Sequence, residues 1–216
     1  MTHLFRMMII VSVLGFAACA AEVPFSSNLV TSESVLPDDA VDRRGDGVLR
    51  DTTGRPVGHD LLGQRLPDVS AKLADGADFS SDDLRGRWTV LVAWGVWCHD
   101  SRNDMDNIAR LATHLSELDG IDFLSVHVPQ SADHLDRMYR TYGSVEGYFE
   151  ARGVSFLVML DETSDIREVL KVQWTPTYLV IDPDLTVRGF RTDISKGGDG
   201  AWETFLQDVQ ELRSIP

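Results

Sequence analysis

The most constraining feature of the sequence is an apolar run, Trp88–Trp94 (WTVLVAW), that leads into Cys98 and then into a helical pattern. The run is short and continuous, which is typical of a strand buried on both faces of a sheet. After Cys98, apolar residues recur every three or four positions until Gly120: Met105, Ile108, Leu111, Ala112, Leu115 and Leu118. The sequence therefore predicts a buried strand, a thiol and an amphipathic helix in direct succession.

Strand and helix patterns alternate along the rest of the chain. The predicted strands are 69–73, 121–128, 154–160, 178–181 and 186–190, and the predicted helices are 132–151, 164–170 and 202–212. Gly143 and Gly147 weaken the first of these helices, which would then form two pieces. The alternation predicts an α/β fold with a central mixed β-sheet flanked by helices on both faces, because the closing hairpin adds antiparallel strands.

Residues 1–20 have the pattern of a secretory signal peptide. An apolar run at 7–17 follows one basic residue and precedes small residues, and it is too short to span a bilayer comfortably. Two processing routes stay open: cleavage at the A-x-A-type site 18–20, or the lipobox-like stretch 16–19, in which Cys19 would be lipidated. Either route exports the domain, which is then periplasmic or lipid-anchored to a bacterial membrane.

Residues 21–60 are rich in Ser, Asp, Gly, Pro and Arg and show no sustained period. Such a composition predicts a disordered tether, which in a lipoprotein would hold the domain off the membrane. The folded domain is then expected at 61–216.

The charge of the chain limits its partners. It holds 34 acidic and 20 basic residues, a net charge of −14, without a long basic run. Nucleic acid is not an expected partner, because binding it requires a positive surface. The membrane is expected as a partner only on the route in which Cys19 is lipidated. The histidines show no metal-ligand spacing and no phosphate-binding glycine loop occurs, so neither a metal nor a cofactor is expected.

The sequence contains two cysteines, Cys19 and Cys98. Because Cys19 is either removed or lipidated, the mature domain holds a single thiol in an oxidising compartment and cannot form an internal disulfide. A lone exported thiol is a liability unless it is buried or used. Cys98 is therefore the candidate for chemistry.

Three sequence motifs occur in order along the predicted folded domain. They are Gly63–Asp68 (GQRLPD) with Asp75–Gly76 and Leu84–Arg87, then Val90–Met105 (VLVAWGVWCHDSRNDM), then Asp161 with Val172–Asp182 (VQWTPTYLVID). Together they span about residues 63–191 and resemble the thioredoxin superfamily. The resemblance is to its exported TlpA/ResA-like branch of thiol-disulfide oxidoreductases, with CxxS in place of CxxC.

The resemblance implies a site built on Cys98 and Pro176. In this family the corresponding proline is cis and lies against the active-site cysteine, which suits the near restriction of cis peptide bonds to proline. The backbone of the preceding residue, here Thr175, pairs with an extended substrate peptide as an added strand. The other candidate substrate-binding residues, which flank these in the sequence, are Trp97, His99 and Trp174.

Cys98 lies between a strand and a helix, so its sulfur is expected at the helix N-terminus. Unsatisfied backbone N–H groups and the helix dipole favour the thiolate there, and the thiolate is the nucleophilic form. His99 and the Ser101 hydroxyl would add hydrogen bonds to it. The alternative is an inert, buried cysteine inherited from a redox ancestor.

Departures from the family pattern limit this chemistry. Ser101 cannot attack a mixed disulfide as a second cysteine would, because a hydroxyl is far too weakly acidic and forms no stable bond to sulfur. Val92 stands where thioredoxins carry a buried carboxylate; Asp104 would replace it as a proton relay, or is a solvated first-turn residue, the interpretation we favour. The peroxiredoxin pattern P-x-x-x-T-x-x-C is absent, since Leu91 and Gly95 occupy its Pro and Thr positions.

Two functions remain open from the sequence. The first is an exported monothiol thiol-disulfide oxidoreductase or isomerase that forms mixed disulfides through Cys98. Its substrates would be exported proteins or small-thiol disulfides, and an external thiol would resolve the intermediate. The second is a redox-inactive binding module that uses the groove and the cis-proline loop to hold a peptide or partner. The retained pairs Trp97–Cys98 and Thr175–Pro176 favour the first.

Overall fold

The computed structural model describes residues 29–215. Over this part the strands are β1 (Ser70–Leu73), β2 (Asp78–Ser80), β3 (Trp88–Trp94), β4 (Ile121–His127), β5 (Val158–Leu160), β6 (Thr177–Ile181) and β7 (Val187–Thr192). The helices are α1 (His99–Ser116), α2 (Val145–Arg152), α3 (Asp165–Val169) and α4 (Ala201–Ser214), with short 3-10 helices at Ser81–Leu84, Ala132–Arg137 and Ile194–Gly197. None of these helices is long and apolar enough to cross a membrane.

These strands form one seven-stranded sheet in the order β2-β1-β5-β4-β3-β6-β7. The central strands β3, β4 and β5 run parallel, whereas β6 and β7 at one edge and β1 and β2 at the other are antiparallel to their neighbours. The predicted α/β architecture with a mixed central sheet is therefore confirmed. Because β3 pairs with β4 and β6, the strand end that leads to Cys98 is held from both sides.

Alternate residues of β3 face opposite helical layers. Val90, Val92 and Trp94 pack in a cluster with α1 and α4, whereas Leu91 and Ala93 pack on the other side with α3. All five are at most 3% exposed. Burial on both faces explains why this strand is a continuous apolar run rather than an alternating one.

The helical pattern at 132–151 forms two pieces with an irregular stretch between them. Ser144 begins α2, and its Oγ accepts a hydrogen bond of 3.1 Å from the Gly147 N–H group. The preceding Gly143 has a positive φ of 75°, a conformation that glycine adopts at low cost. Of the two alternatives left by the sequence, the structure has the divided helix.

The structure contradicts the predicted tether over residues 29–60, which we call the N-terminal segment. Residues 21–28, the predicted signal peptide and Cys19 lie outside the described residues. Val30 pairs with Phe190 of β7 through two backbone hydrogen bonds of 2.8 Å each. Several apolar side chains of the segment are buried: Leu29, Val30, Val48 and Val57. The prediction of disorder is therefore wrong for this part of the chain.

Local side-chain hydrogen bonds explain why a segment rich in Asp and Gly is ordered. The carboxylate of Asp42 accepts hydrogen bonds from the four backbone N–H groups of residues 44–47. The guanidinium of Arg50 is buried and makes two hydrogen bonds of 2.7 Å to Asp46. Such turns have the composition of disordered chain, because Asp and Gly are also the residues that build tight turns.

Candidate active site

Cys98 occupies the N-cap position of α1, four residues after the end of β3. Its backbone is extended (φ −83°, ψ 131°), and its side chain makes no capping hydrogen bond to the helix. The half-buried thiol donates instead to the carbonyl oxygen of Thr175, with Sγ and the oxygen 3.2 Å apart. The N–H groups of a first helical turn stabilise negative charge on a neighbouring atom, which suits a nucleophilic sulfur.

The loop before β6 contains the Thr175–Pro176 peptide bond, which is cis, as the resemblance implies. Because β6 pairs with β3 through Thr177 and Ala93, this loop lies beside the loop that holds Cys98. Both residues of the cis bond are buried, and Thr177 Oγ1 donates a 2.7 Å hydrogen bond to Trp174 O. Sheet pairing thus brings together two segments that are 77 positions apart in the chain.

Ser101, which stands at the place of the second cysteine, is fully buried in the first turn of α1. Its Oγ accepts a 3.2 Å hydrogen bond from the Gly95 N–H group. The hydroxyl therefore closes the loop between β3 and α1. A Cβ at Gly95 would overlap the indole of Trp97, so the close approach of this loop requires glycine.

The other predicted substrate-binding residues differ in their surroundings. Trp97 and Trp174 are both half-buried, and Trp97 is anchored by its Nε1–H, which donates to Val128 O at 2.7 Å. His99 is exposed, and its Nδ1 lies 3.1 Å from the side-chain nitrogen of Asn103, one turn further along α1. The hydrogen bond that the structure shows for His99 therefore runs along the helix surface, whereas the sequence predicts one to the sulfur of Cys98.

Asp104 is fully buried, so the interpretation of a solvated first-turn residue is wrong. Its carboxylate accepts four hydrogen bonds of 2.7–2.9 Å, from the Tyr178 hydroxyl, the Ile194 and Ser195 N–H groups and the Asn107 side chain. Burial, and next the neighbouring Asp104, raise the pKa of Tyr178 well above its ordinary value. Asp104 lies on the buried face of α1, and its hydrogen bonds tie this helix to β6 and to the chain before α4.

Arg55 of the N-terminal segment lies at the candidate site, although the sequence patterns do not predict it there. Its Nη2 lies 2.5 Å from Asp193 Oδ2 and 3.7 Å from Asp100 Oδ2, in the first turn of α1. Its guanidinium also lies over the ring of Trp174, 5.6 Å from the centroid. One side chain thus connects both loops of the site. No local pattern identifies it, because Asp193 is 138 positions away.

His127, at the end of β4, makes a hydrogen bond to the loop that holds Cys98. It is fully buried, and its Nε2 accepts a 3.1 Å hydrogen bond from the Val96 N–H group, two residues before Cys98. Its ring stacks on Tyr139 with centroids 5.2 Å apart. Burial lowers the pKa of His127 to about 3, so the imidazole is neutral and acts as a hydrogen-bond acceptor near neutral pH.

Comparison with known proteins shows the family of this chain. A family model described as the AhpC/TSA family matches residues 62–190. The thiol-disulfide oxidoreductase ResA of Bacillus subtilis (strain 168) is 24% identical over 122 residues, which are 56% of this chain and 62% of ResA. The chain therefore aligns with less than two thirds of the length of that relative.

Solved structures of low sequence identity share the fold. The exposed lipoprotein thioredoxin Etrx1 from Streptococcus pneumoniae strain TIGR4 is 18% identical, with a TM-score of 0.51 over 67% of this chain and 99% of Etrx1. The thioredoxin domain of a thiol-disulfide oxidoreductase from Bacteroides vulgatus is 16% identical, with a TM-score of 0.52 over 68% of this chain and 96% of that domain.

The region matched by the family model, 62–190, contains β3, Cys98, α1 and the cis-proline loop. The resemblance recognised in the sequence motifs is thereby confirmed, and relatives named ResA place it in the TlpA/ResA-like branch. The chain belongs to the AhpC/TSA family and has the thioredoxin fold.

Proposed function

We propose that this chain is an exported, single-cysteine protein that catalyses thiol–disulfide exchange through Cys98. The observation that carries the proposal is the position of the Cys98 sulfur, at the start of α1 and 3.2 Å from the carbonyl oxygen of Thr175, beside the cis-proline. The names of the ResA relatives support exchange chemistry, and the predicted signal peptide supports export.

The proposed reaction is an exchange of bonds between sulfur atoms. The Cys98 thiolate attacks one sulfur of a substrate disulfide, a new S–S bond forms to Cys98, and the other substrate sulfur leaves as a thiolate. The Cys98 sulfur is oxidised to the disulfide level and the departing substrate sulfur is reduced to a thiolate, so one S–S bond replaces another and no further oxidant is required. Ser101 cannot release the bound substrate, because its hydroxyl is too weakly acidic and already binds the Gly95 N–H group. A second thiol from the substrate or from a small thiol then attacks the mixed disulfide and frees Cys98.

A substrate peptide would be positioned by the loop before β6. The Cys98 thiol donates to Thr175 O, so the backbone of this loop lies within reach of whatever is bonded to the sulfur. An extended peptide that pairs with Thr175 would place its own sulfur next to Cys98. Trp97 directly precedes Cys98, and Trp174 directly precedes Thr175. Both rings are half-buried, and they would contact the bound peptide.

The first experiment measures the rate at which iodoacetamide alkylates Cys98 at neutral pH. We expect Cys98 to react faster than the thiol of a model peptide under the same conditions, because the N–H groups of the first turn of α1 favour negative charge on the sulfur. A mixed disulfide with a model peptide should then be trapped, and the Cys98→Ser variant should form none. An unreactive thiol would contradict the proposal. Retained partner binding by Cys98→Ser would indicate the redox-inactive binding module instead.

A further inference from the structure

Three arginines from separate elements donate to the loop that holds Cys98 or to the adjacent loop after β4, and we call them the arginine rim: Arg102 of α1, Arg140 after the 3-10 helix Ala132–Arg137, and Arg167 of α3. Arg102 donates to Val96 O at 2.8 Å and Arg140 to Trp97 O at 3.4 Å. These are the two carbonyl groups directly before Cys98.

Arg167 donates to the adjacent loop after β4. Its Nη1 donates to Pro129 O at 3.1 Å, and the neighbouring Val128 O accepts the indole N–H of Trp97. Burial, the larger effect, lowers the pKa of Arg167, while the charges of Asp161 and Cys98 act to raise it.

The rim arginines form no ion pair within the described residues, although the charge of Asp161 acts on Arg167 from further away. Within residues 29–215, no carboxylate oxygen lies within 4.0 Å of a rim guanidinium. Two carboxylates near these loops are engaged elsewhere: Asp100 lies 3.7 Å from Arg55, and Asp161 accepts the N–H groups of Ile166 and Arg167. Each guanidinium has five N–H donors, and the hydrogen bonds described above use one of each.

We propose that the arginine rim makes Cys98 selective for disulfides that carry a carboxylate next to the reacting sulfur. This inference rests on the proposed exchange function and adds the chemical class of its substrate. A guanidinium binds a carboxylate with two parallel hydrogen bonds, and Arg140 and Arg167 would present such donors on the two sides of the loop. The chain as a whole has a net charge of −14, so its overall field repels an acidic substrate and the selectivity must come from the rim.

The test compares three peptides that differ only beside their single cysteine, which is flanked by Glu, Gln or Lys and linked to 2-thiopyridine through a disulfide. Attack by the Cys98 thiolate transfers the peptide to Cys98 and releases thiopyridone, which is measured by absorbance. Each rate is divided by the rate with 2-mercaptoethanol, which removes differences in intrinsic reactivity. We expect the Glu peptide to react about fivefold faster than the Gln peptide, the Lys peptide to react slowest, and the differences to shrink with added salt.

Substitutions of the rim arginines test whether these residues cause the difference between the Glu and Gln peptides. Arg140→Gln and Arg167→Gln should lower the Glu-to-Gln rate ratio toward one, whereas Arg140→Lys should keep part of it. Arg140 is exposed, so its replacement is expected to leave folding intact even where that of the half-buried Arg167 does not. The matched control is Arg110→Gln, which removes the same charge from an exposed position of α1 and should leave the ratio unchanged.

Equal normalised rates for all three peptides would overturn the selectivity and leave the exchange function standing. An equal loss of the ratio in Arg110→Gln would also overturn it, because the effect would then come from net charge. No thiopyridone release from any peptide would contradict the exchange function itself, and the selectivity with it.

Discussion

At the scale of single residues, the candidate site has the hydroxyl of Ser101 at the position where a second thiol would stand. Its hydroxyl is buried and accepts the Gly95 N–H group at 3.2 Å, in the loop that also carries Cys98. The serine therefore has a structural partner, and in the proposed reaction Cys98 supplies the only reacting sulfur of the site. A mixed disulfide formed at Cys98 is expected to persist until another thiol arrives.

The variant Ser101→Cys should convert the site to dithiol chemistry. The new thiol would attack the mixed disulfide at Cys98, so the substrate thiol should be released and an internal disulfide formed. Mass spectrometry of the acid-quenched reaction measures both products. Ser101→Ala is the matched control: it also loses the Gly95 hydrogen bond, at a cost of about 1 kcal/mol, but it should still accumulate the mixed disulfide. Accumulation in Ser101→Cys as well would show that the two positions cannot react.

At the scale of elements, the N-terminal segment is part of the site rather than a spacer. Val30 adds two hydrogen bonds to β7, and Arg55 links Asp193, the first turn of α1 and Trp174. The Arg55 and Asp193 side chains are 16% and 0% exposed, so this ion pair is shielded from solvent. Removing one partner would leave the other buried without its counter-charge.

We predict that Arg55→Gln lowers the free energy of unfolding by about 1–3 kcal/mol, measured by urea denaturation. The same change should loosen the segment, so the Val30 amide, which is bonded to Phe190 O, should exchange its hydrogen faster. Arg43→Gln, at an exposed position of the same segment, serves as the control and should change neither quantity. If Arg55→Gln matched this control in both measurements, the link between segment and site would be refuted.

At the scale of the whole molecule, buried titratable groups make opposing contributions to stability in acid. Burial lowers the pKa of His127 to about 3 and that of His59 to about 4. Burial raises the pKa values of Asp161, Asp193 and Asp208. As the pH falls, these histidines are protonated in the unfolded chain before they are protonated in the folded chain, which destabilises the folded state. The carboxyl groups with raised pKa values are protonated first in the folded chain, which stabilises the folded state.

The contribution of His127 can be isolated with His127→Gln, whose side chain is neutral at every pH. Between the ordinary histidine value of 6.5 and about 3, the unfolded wild type binds one more proton than the folded wild type. Its stability relative to the variant should therefore fall by about 1.4 kcal/mol per pH unit within this window and level off below it. The other groups titrate in both proteins and cancel in the difference. The exposed His99→Gln is the control, and parallel curves for wild type and His127→Gln would contradict the prediction.

The amino-acid sequence alone predicts the α/β class, the mixed sheet and the order strand–Cys98–helix. These follow from patterns within about 20 consecutive residues, since the side-chain period of a strand or helix is set by its own backbone. The cis Thr175–Pro176 bond is implied by the resemblance to the thioredoxin superfamily and not by these patterns. Gly143 and Gly147 likewise indicate that the predicted helix at 132–151 is divided. Such features need no knowledge of what packs against them.

The tertiary structure alone decides the order of residues 29–60, the four donors around Asp104 and the convergence of Arg55 and the arginine rim on the site. Asp104 looks like a solvated first-turn residue until Tyr178, 74 positions away, is placed above it. Arg55 looks like part of a polar linker until Asp193 is placed beside it. Contacts between distant positions depend on how the elements are stacked in space, and no periodicity along the chain records that arrangement.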